Sequence, residues 1–281
     1  MMRQLGIDCL SIFGMPPVPF IEMTADLGCS SISLGLPVRY NPENYPTYSL
    51  KDPLTQRETK AALNDHGVSL IVGEGFFVLP NQDVSKYAAD LDVMAELGAR
   101  IVNTLSLDRD LARSFDQFGQ LAELAAARGL ACSVEFVPGL VVGDIATGMD
   151  AVRHVGRPDF KLVIDTMHVG RSGCSAAELA RADSSLFGYI QICDCMIETS
   201  NAAWEQGYER MVPGDGELPL EDFLNALPAD LPIGIEIPQR SLSEAGRGPR
   251  ERLAPCVSAA GALLAKLRKN DAVLGKRALE T

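Results

Sequence analysis

The chain has 281 residues, of which 47% are hydrophobic and 22% charged, and its formal net charge is −12. These values predict a globular protein with a large core, and the acidic balance argues against nucleic acid or an anionic membrane as a partner. No apolar run approaches the roughly 20 residues needed to cross a bilayer. The seven scattered cysteines indicate reduced thiols, so we expect a cytoplasmic protein that acts on a small molecule.

Apolar runs typical of strands alternate along the chain with runs at helical spacing. The predicted strands cover residues 5–13, 30–36, 68–77, 99–107, 130–136, 160–166, 186–194 and 231–238. The predicted helices cover residues 19–28, 51–67, 84–98, 110–129, 144–156, 175–182, 218–228 and about 249–269. Strand–helix pairs repeated at roughly 30-residue spacing predict a single (β/α)8 TIM barrel over residues 1–281. The alternative fold is a doubly wound open sheet, but its glycine-rich phosphate turn has only a poor counterpart in IFGMPP.

Four predicted strands carry a polar residue close to their carboxyl ends: Glu135, Asp165, Gln191 and Glu236. Because side chains alternate along a strand, the parity that turns the neighbouring apolar residues toward the helices turns these four toward the barrel centre. They should therefore meet at the carboxyl-terminal mouth, where barrel enzymes keep their chemistry. Three carboxylates at one place need a cation, so we predict one divalent metal ion, Mn²⁺ or Mg²⁺ first, with Co²⁺ or Zn²⁺ also compatible.

The second half of the chain carries a family resemblance. The segments SVEFVPG, LVIDTMHVGRSG, YIQICD, PGDGELPLEDFL and IGIEIP resemble, in order and spacing, those of the xylose isomerase-like TIM-barrel superfamily. That superfamily includes sugar phosphate isomerases/epimerases, ketose 3-epimerases, hydroxypyruvate isomerases, inosose isomerases and dehydratases, and 3-dehydroshikimate dehydratases. The first 130 residues resemble the family only in their alternation of strand-like and helix-like runs.

The resemblance implies roles for individual residues. Glu135, Asp165, Gln191 and Glu236 resemble the four metal ligands of the family. Many relatives have His where this chain has Gln191, but the hydroxypyruvate isomerases and dehydroshikimate dehydratases resemble it in using Gln. By the same resemblance, His168 and Arg210 are expected to contact substrate oxygens.

The expected chemistry begins with removal of a proton next to a carbonyl, with Glu135 and Glu236 as the acid and base. Return of the proton to the neighbouring carbon is isomerisation, and its return to the opposite face is epimerisation. Loss of a hydroxyl instead makes the protein a dehydratase, of the 3-dehydroshikimate or inosose type. We favour a sugar isomerase or epimerase, keep the lyase as the alternative, and rank a sugar-binding barrel without turnover below both.

An insertion follows the seventh predicted strand, because 45 residues separate Gln191 from Glu236 while the two preceding intervals are 30 and 26 residues. Residues 195–217 should overhang the mouth as a lid, with Trp204, Tyr208 and Arg210 as substrate contacts. Glu74, at the end of the third strand, either reaches the pocket or forms a structural ion pair. Relatives of this type imply a homodimer or homotetramer.

Overall fold

Eight parallel strands form a closed barrel in the computed structural model, which describes residues 5–36, 41–198 and 207–278, with side chains up to residue 267. The strands are β1 Leu5–Ile7, β2 Ser31–Gly35, β3 Ser69–Val78, β4 Ile101–Ser106, β5 Ala131–Glu135, β6 Phe160–Asp165, β7 Phe187–Ile192 and β8 Ile233–Ile235. Each strand pairs with its sequence neighbour, and β8 returns to pair with β1, with Ile7 opposite Ile235. The predicted (β/α)8 barrel is confirmed.

Helices follow the strands around the outside of the barrel. They are α1 Pro17–Asp26, α2 Pro53–His66, α3 Ala88–Glu96, α4 Leu111–Ala126, α5 Ile145–Val155, α6 Thr166–Arg171, α7 Ala176–Arg181, α8 Leu220–Asn225, α9 Arg240–Glu244 and α10 Pro249–Ala278. Aspartate caps start several of them, since Asp52, Asp110 and Asp144 accept hydrogen bonds from first-turn backbone N–H groups. Among the helices of the described ranges, none is both long and apolar enough to span a membrane.

Two differences from the predicted elements affect the site. The first strand ends at Ile7 rather than at residue 13, because the Asp8 carbonyl accepts from Ser11 N and begins a 3-10 helix over Cys9–Ile12. The sixth strand leads directly into α6, which was not predicted. Asp165 itself starts that helix, since its Oδ1 accepts from the backbone N–H of Met167 and His168.

The core has two parts that follow from the alternation along the strands. Outward-facing strand residues pack against the helices in one large cluster that includes Phe118, Phe160 and Ile164. Inward-facing Val163 and Tyr189 belong to a second, small cluster with Ile71 and Val72. Val163 precedes Asp165 by two residues and Tyr189 precedes Gln191 by two, so the apolar cluster lies one pleat below the polar residues at the mouth.

Candidate active site at the carboxyl ends of the strands

A cavity of about 520 Å³ opens at the carboxyl-terminal end of the barrel. Six of the residues predicted to form the site line it: Glu74, Glu135, His168, Tyr208, Arg210 and Glu236. Asp165 and Gln191 are almost completely buried and contact the lining residues from below. Trp204, within the predicted lid 195–217, lies outside the described residues.

Glu135 is held from two sides. The His168 Nε2 lies 3.2 Å from Glu135 Oε1, and Asn103 Nδ2 donates to Glu135 Oε2 at 3.1 Å. Ser133, one pleat below on β5, donates to Asn103 Oδ1 at 3.0 Å and fixes the orientation of that amide. The sequence interpretation did not single out Asn103, although its inward parity on β4 is the same signal that identified Glu135.

Arg210 joins two of the candidate ligands. Its guanidinium lies 2.5 Å from Asp165 Oδ2 and 2.9 Å from Glu236 Oε2, and it also donates to the Glu236 carbonyl oxygen at 3.0 Å. Only 3% of Arg210 is exposed, so the ion pairs are shielded from water. Arg210 also lines the cavity, and its contact with a substrate stays a prediction.

The pKa values of the two carboxyl groups that share Arg210 are shifted in opposite directions. Burial alone would raise the pKa of Asp165, but the charge of Arg210, the nearby His168, and hydrogen bonds from the Arg210 side chain and the His168 backbone together outweigh burial and hold this pKa below its ordinary value. Burial, with the nearby charges of Glu135 and Asp165, raises the pKa of Glu236 well above its ordinary value despite Arg210. The site therefore separates the proton affinities of two adjacent acids, as enzymes do when the acids have different roles.

Gln191 is oriented by two carboxylates. Its Nε2 donates to Asp8 Oδ2 at 3.1 Å and to Glu236 Oε1 at 3.2 Å, and Tyr189 donates to the other Asp8 oxygen at 2.8 Å. These two contacts use both hydrogens of the amide nitrogen. The amide oxygen, Oε1, therefore points away from the carboxylates of Asp8 and Glu236. This oxygen is buried and has no hydrogen-bond partner among the described residues.

Asp8 is a residue of the site that the sequence interpretation missed. It is completely buried, and burial raises its pKa to about 7 although Tyr189 and Gln191 both donate to it. The prediction of a strand through residue 13 hid Asp8 within an apolar run. Its position directly after the three-residue β1 is the feature that places it among the other strand ends.

Glu74 reaches the cavity from β3. Its Oε1 is buried and has no hydrogen-bond partner among the described residues. Burial, together with the charges of Asp8 and Glu135, raises its pKa well above the ordinary value. The pairing of β3 with β4 is irregular between Gly73 and Phe76, at the segment that carries Glu74.

Apolar side chains also line the cavity. Five side chains from the carboxyl ends of β3, β4 and β5 line it, and we call them the apolar arc: Phe77, Leu105, Leu107, Val137 and Leu140. Four of the five are half-buried, and Leu107 is 41% exposed. The apolar arc shares this side of the cavity with the polar side chains of Glu74, Asn103 and Thr104.

Asp194, just after β7, organises the loop that leads to β8. Its carboxylate accepts hydrogen bonds from the backbone N–H of Cys195, Gly214 and Leu218 at 2.8 to 3.1 Å. A side chain at Gly216 would collide with this carboxylate. The loop carries Arg210 and pairs with the strand end through backbone hydrogen bonds between Asp194 and Met211, so Asp194 helps to hold Arg210 over the site.

The residues at the mouth fit a divalent cation. Glu135, Asp165 and His168 can each offer one ligand atom within 4.8 Å of one another. The unpaired Gln191 Oε1 adds an acceptor that no described group satisfies. Carboxylate and amide oxygens with one imidazole are a donor set that divalent ions accept. The predicted ligand set has Gln191 and Glu236 in place of His168, and its exact membership stays a prediction.

The sequence matches the family described as the xylose isomerase-like TIM barrel over residues 21–256. The chain belongs to this family. Its relatives by sequence include an inosose isomerase of Bacillus licheniformis, 29% identical over 118 residues, which are 41% of this chain and 42% of the isomerase. They also include a D-psicose 3-epimerase of Ruminiclostridium cellulolyticum, 24% identical over 234 residues, which are 74% of this chain and 72% of the epimerase. The match to the inosose isomerase thus spans less than half of that relative.

Solved structures of the family share the fold. An IolI protein with a bound zinc atom superposes with a TM-score of 0.78 at 17% identity, covering 94% of this chain and 99% of that one. A D-psicose 3-epimerase of Clostridium cellulolyticum, solved with D-tagatose, superposes with a TM-score of 0.70 at 18% identity, covering 94% and 99%. At these identities the likeness establishes the fold alone.

Proposed function

We propose that this protein is a divalent-metal-dependent isomerase or epimerase of a sugar or another small α-hydroxycarbonyl compound. The observation that carries the proposal is the group formed by Glu135, Asp165 and His168, whose ligand atoms lie within 4.8 Å of one another. The buried, unpaired Oε1 of Gln191, the residue opposite Asp165 on the neighbouring strand, adds an unsatisfied acceptor. A buried acceptor without a partner is costly, and a bound cation would satisfy it. The zinc atom of the IolI relative and the epimerase and isomerase activities named for the other relatives support the same conclusion.

Glu135, Asp165, Gln191 and Glu236 would hold the ion, with His168 as a further donor close to Glu135. When bound, a divalent ion polarises a substrate carbonyl, which acidifies the neighbouring C–H group and stabilises the negative charge that develops on the oxygen. The chain's own contribution is a set of preoriented groups. Hydrogen bonds from Asn103 and Gln191 hold the carboxylates in place before a substrate arrives.

Proton transfer is assigned to Glu135 and Glu236, which reach the cavity from β5 and from the end of β8. One carboxylate removes the proton next to the carbonyl, and the other returns it. Arg210 fixes the position of Glu236 through two contacts and compensates its charge when it is ionised. His168 lies against Glu135 at a distance from which it can share a proton or contact a substrate oxygen.

Proton NMR of the Mg²⁺-loaded protein in D₂O tests the proposal with keto-sugars, hydroxypyruvate, inososes and 3-dehydroshikimate as candidate substrates. We expect an isomer or epimer of one compound, with or without solvent deuterium at the carbon next to the carbonyl. Glu236→Gln should abolish turnover, because it removes one acid–base group and a ligand. Glu244→Gln is the matched control, since Glu244 pairs with Arg240 on the surface of α9, and it should leave turnover unchanged.

Two results would contradict the proposal. An unsaturated or aromatic product would assign the protein to the carbon–oxygen lyases, with the same first proton abstraction. Full activity of Glu236→Gln in a metal-free, chelator-treated sample would remove both the metal and the acid–base pair from the mechanism.

A further inference from the structure

A buried arginine near the start of the last helix joins three segments of the chain. Arg252, on α10, has its Nη1 donating to the Ser11 carbonyl oxygen at 3.0 Å and its Nη2 donating to Glu43 Oε1 at 2.8 Å. Its Nε donates to the Arg247 carbonyl oxygen at 3.1 Å. Because the guanidinium is planar and its donors have fixed directions, these contacts hold the segment after β1 against the segment after β2 and the segment that leads into α10.

The same guanidinium supports a strained turn after β1. Phe13 has φ 47° and ψ 46°, in the left-handed region that bulky residues rarely adopt. Such a conformation is unfavourable and persists only where the surrounding structure fixes it. Arg252 contacts the turn at two points, since its Cζ lies 5.0 Å from the centroid of the Phe13 ring and its Nη1 bonds to the Ser11 carbonyl oxygen. The last helix therefore holds this turn in place.

Ser11 connects the turn to the strand end that carries Glu236. Its hydroxyl oxygen accepts a hydrogen bond from the backbone N–H of Ile237 at 2.8 Å, and the hydroxyl donates to the Ile235 carbonyl oxygen at 3.4 Å. These two backbone groups lie on either side of Glu236 in the chain. Ser11 is completely buried, so water cannot replace either contact. The Ser11 hydroxyl thus fixes the backbone from which the Glu236 side chain extends.

We propose that Ser11 and Arg252 are positioning residues for Glu236, and we call this pair the brace. Ser11 contacts the backbone on both sides of Glu236, and Arg252 fixes Ser11. Neither residue of the brace lines the cavity, so we expect its effect to reach a bound ion through Glu236. The inference rests on the proposed function, because it takes Glu236 as a ligand of the ion and as one of the two acid–base groups.

Calorimetric titration of the metal-free full chain with Mn²⁺ tests the brace. We expect Ser11→Ala to weaken the Kd for Mn²⁺ roughly tenfold, the scale found for groups that orient metal ligands, and Arg252→Met to weaken it by a smaller factor. Partial unfolding weakens an apparent Kd only by the reciprocal of the folded fraction. Urea denaturation is therefore measured in parallel, and a tenfold change in a chain that is more than about 90% folded reports a change at the site itself.

Arg250→Met and Thr24→Val are the matched controls. Arg250 lies on the same helix and pairs with Asp26 on the surface. Thr24 has a buried hydroxyl that donates to a backbone carbonyl oxygen within α1. Both control variants should leave the Kd unchanged. Because Arg252 acts through the Ser11 hydroxyl, Arg252→Met should weaken the Kd no further in a Ser11→Ala background.

The outcomes separate this inference from the proposed function. An unchanged Kd in Ser11→Ala, or additive effects of the two brace substitutions, would overturn the inference and leave the metal-dependent function standing. Absence of Mn²⁺ binding by the wild type would instead refute the metal-dependent function. Amide hydrogen exchange of the metal-free chain then decides the inference: faster exchange of the Ile237 amide in Arg252→Met than in Arg250→Met would retain the brace, and equal rates would overturn it.

Discussion

Replacing Tyr189 with Phe tests the electrostatic support beneath the site. Tyr189 donates its hydroxyl hydrogen to Asp8 Oδ1 at 2.8 Å, and Asp8 is completely buried, so water cannot replace the lost donor. A hydrogen bond to an ionised group contributes about 1.5–3 kcal/mol. We expect Tyr189→Phe to lower the free energy of unfolding of the metal-free protein by about this amount at pH 8, measured by urea denaturation with chelator present.

The stability cost of Tyr189→Phe should depend on pH, because the ionisation of Asp8 does. The fold holds the proton of Asp8 up to a pKa of about 7, whereas the ordinary value is 3.8. Asp8 therefore contributes less stability as the pH rises from about 4 to 7. The Tyr189 hydroxyl lowers this pKa, so its removal extends the loss of stability to higher pH. At pH 5, where Asp8 is protonated, the cost of Tyr189→Phe should fall to about 0.5–1.5 kcal/mol, the range for neutral partners.

Tyr87→Phe is the matched control, because among the described residues the Tyr87 hydroxyl bonds to the uncharged backbone N–H and C=O of Phe77. Its cost should be the same at pH 5 and pH 8. In an Asp8→Asn background, Tyr189→Phe should likewise lose its pH dependence. Equal costs of Tyr189→Phe at the two pH values in the otherwise wild-type chain would refute the view that Asp8 is ionised above pH 7 and held by Tyr189.

Three further predictions concern the same region. Asp8→Asn removes one acceptor that orients the Gln191 amide, and we expect about 10–100-fold weaker Mn²⁺ binding by calorimetry; an unchanged Kd would contradict this. Arg210→Met leaves the two carboxyl groups that pair with Arg210 buried without their cation. The free energy of unfolding of the metal-free protein, measured in urea, should therefore fall by about 3–5 kcal/mol. A fall of less than about 1 kcal/mol would show that the ion pairs are dispensable. Asp194→Asn removes a charged acceptor of three backbone N–H groups, and faster hydrogen exchange of the Gly214 amide is expected, with unchanged exchange as the refuting result.

The parts of the site that could be predicted depend on local periodicity. Alternation along a strand repeats every two residues, and it was enough to place Glu135, Asp165 and Gln191 inward without knowledge of any contact. The carboxyl ends of barrel strands meet at one mouth, so their proximity followed from the fold class. These inferences needed only the sequence around each strand.

The parts that were missed depend on pairing across the closed barrel. Asp8 meets Tyr189 across 181 residues, and Arg210 reaches Asp165 across 45 residues. Neither contact leaves a periodic trace in the sequence, because each is created when distant strand ends come together. The end of β1 at Ile7 was missed for a related reason, since the apolar run continues while the backbone already turns at Asp8.

The pairing of β1 with β8 has a consequence for synthesis of the chain. It joins residues 5–7 to residues 233–235, so a nascent chain on the ribosome cannot close the barrel until all eight strands have emerged. Until then the edges of β1 and of the last completed strand remain open to mispairing. Glu236, which follows β8, also arrives last, so the acidic mouth and its closing strand are completed together, and an interrupted chain has neither.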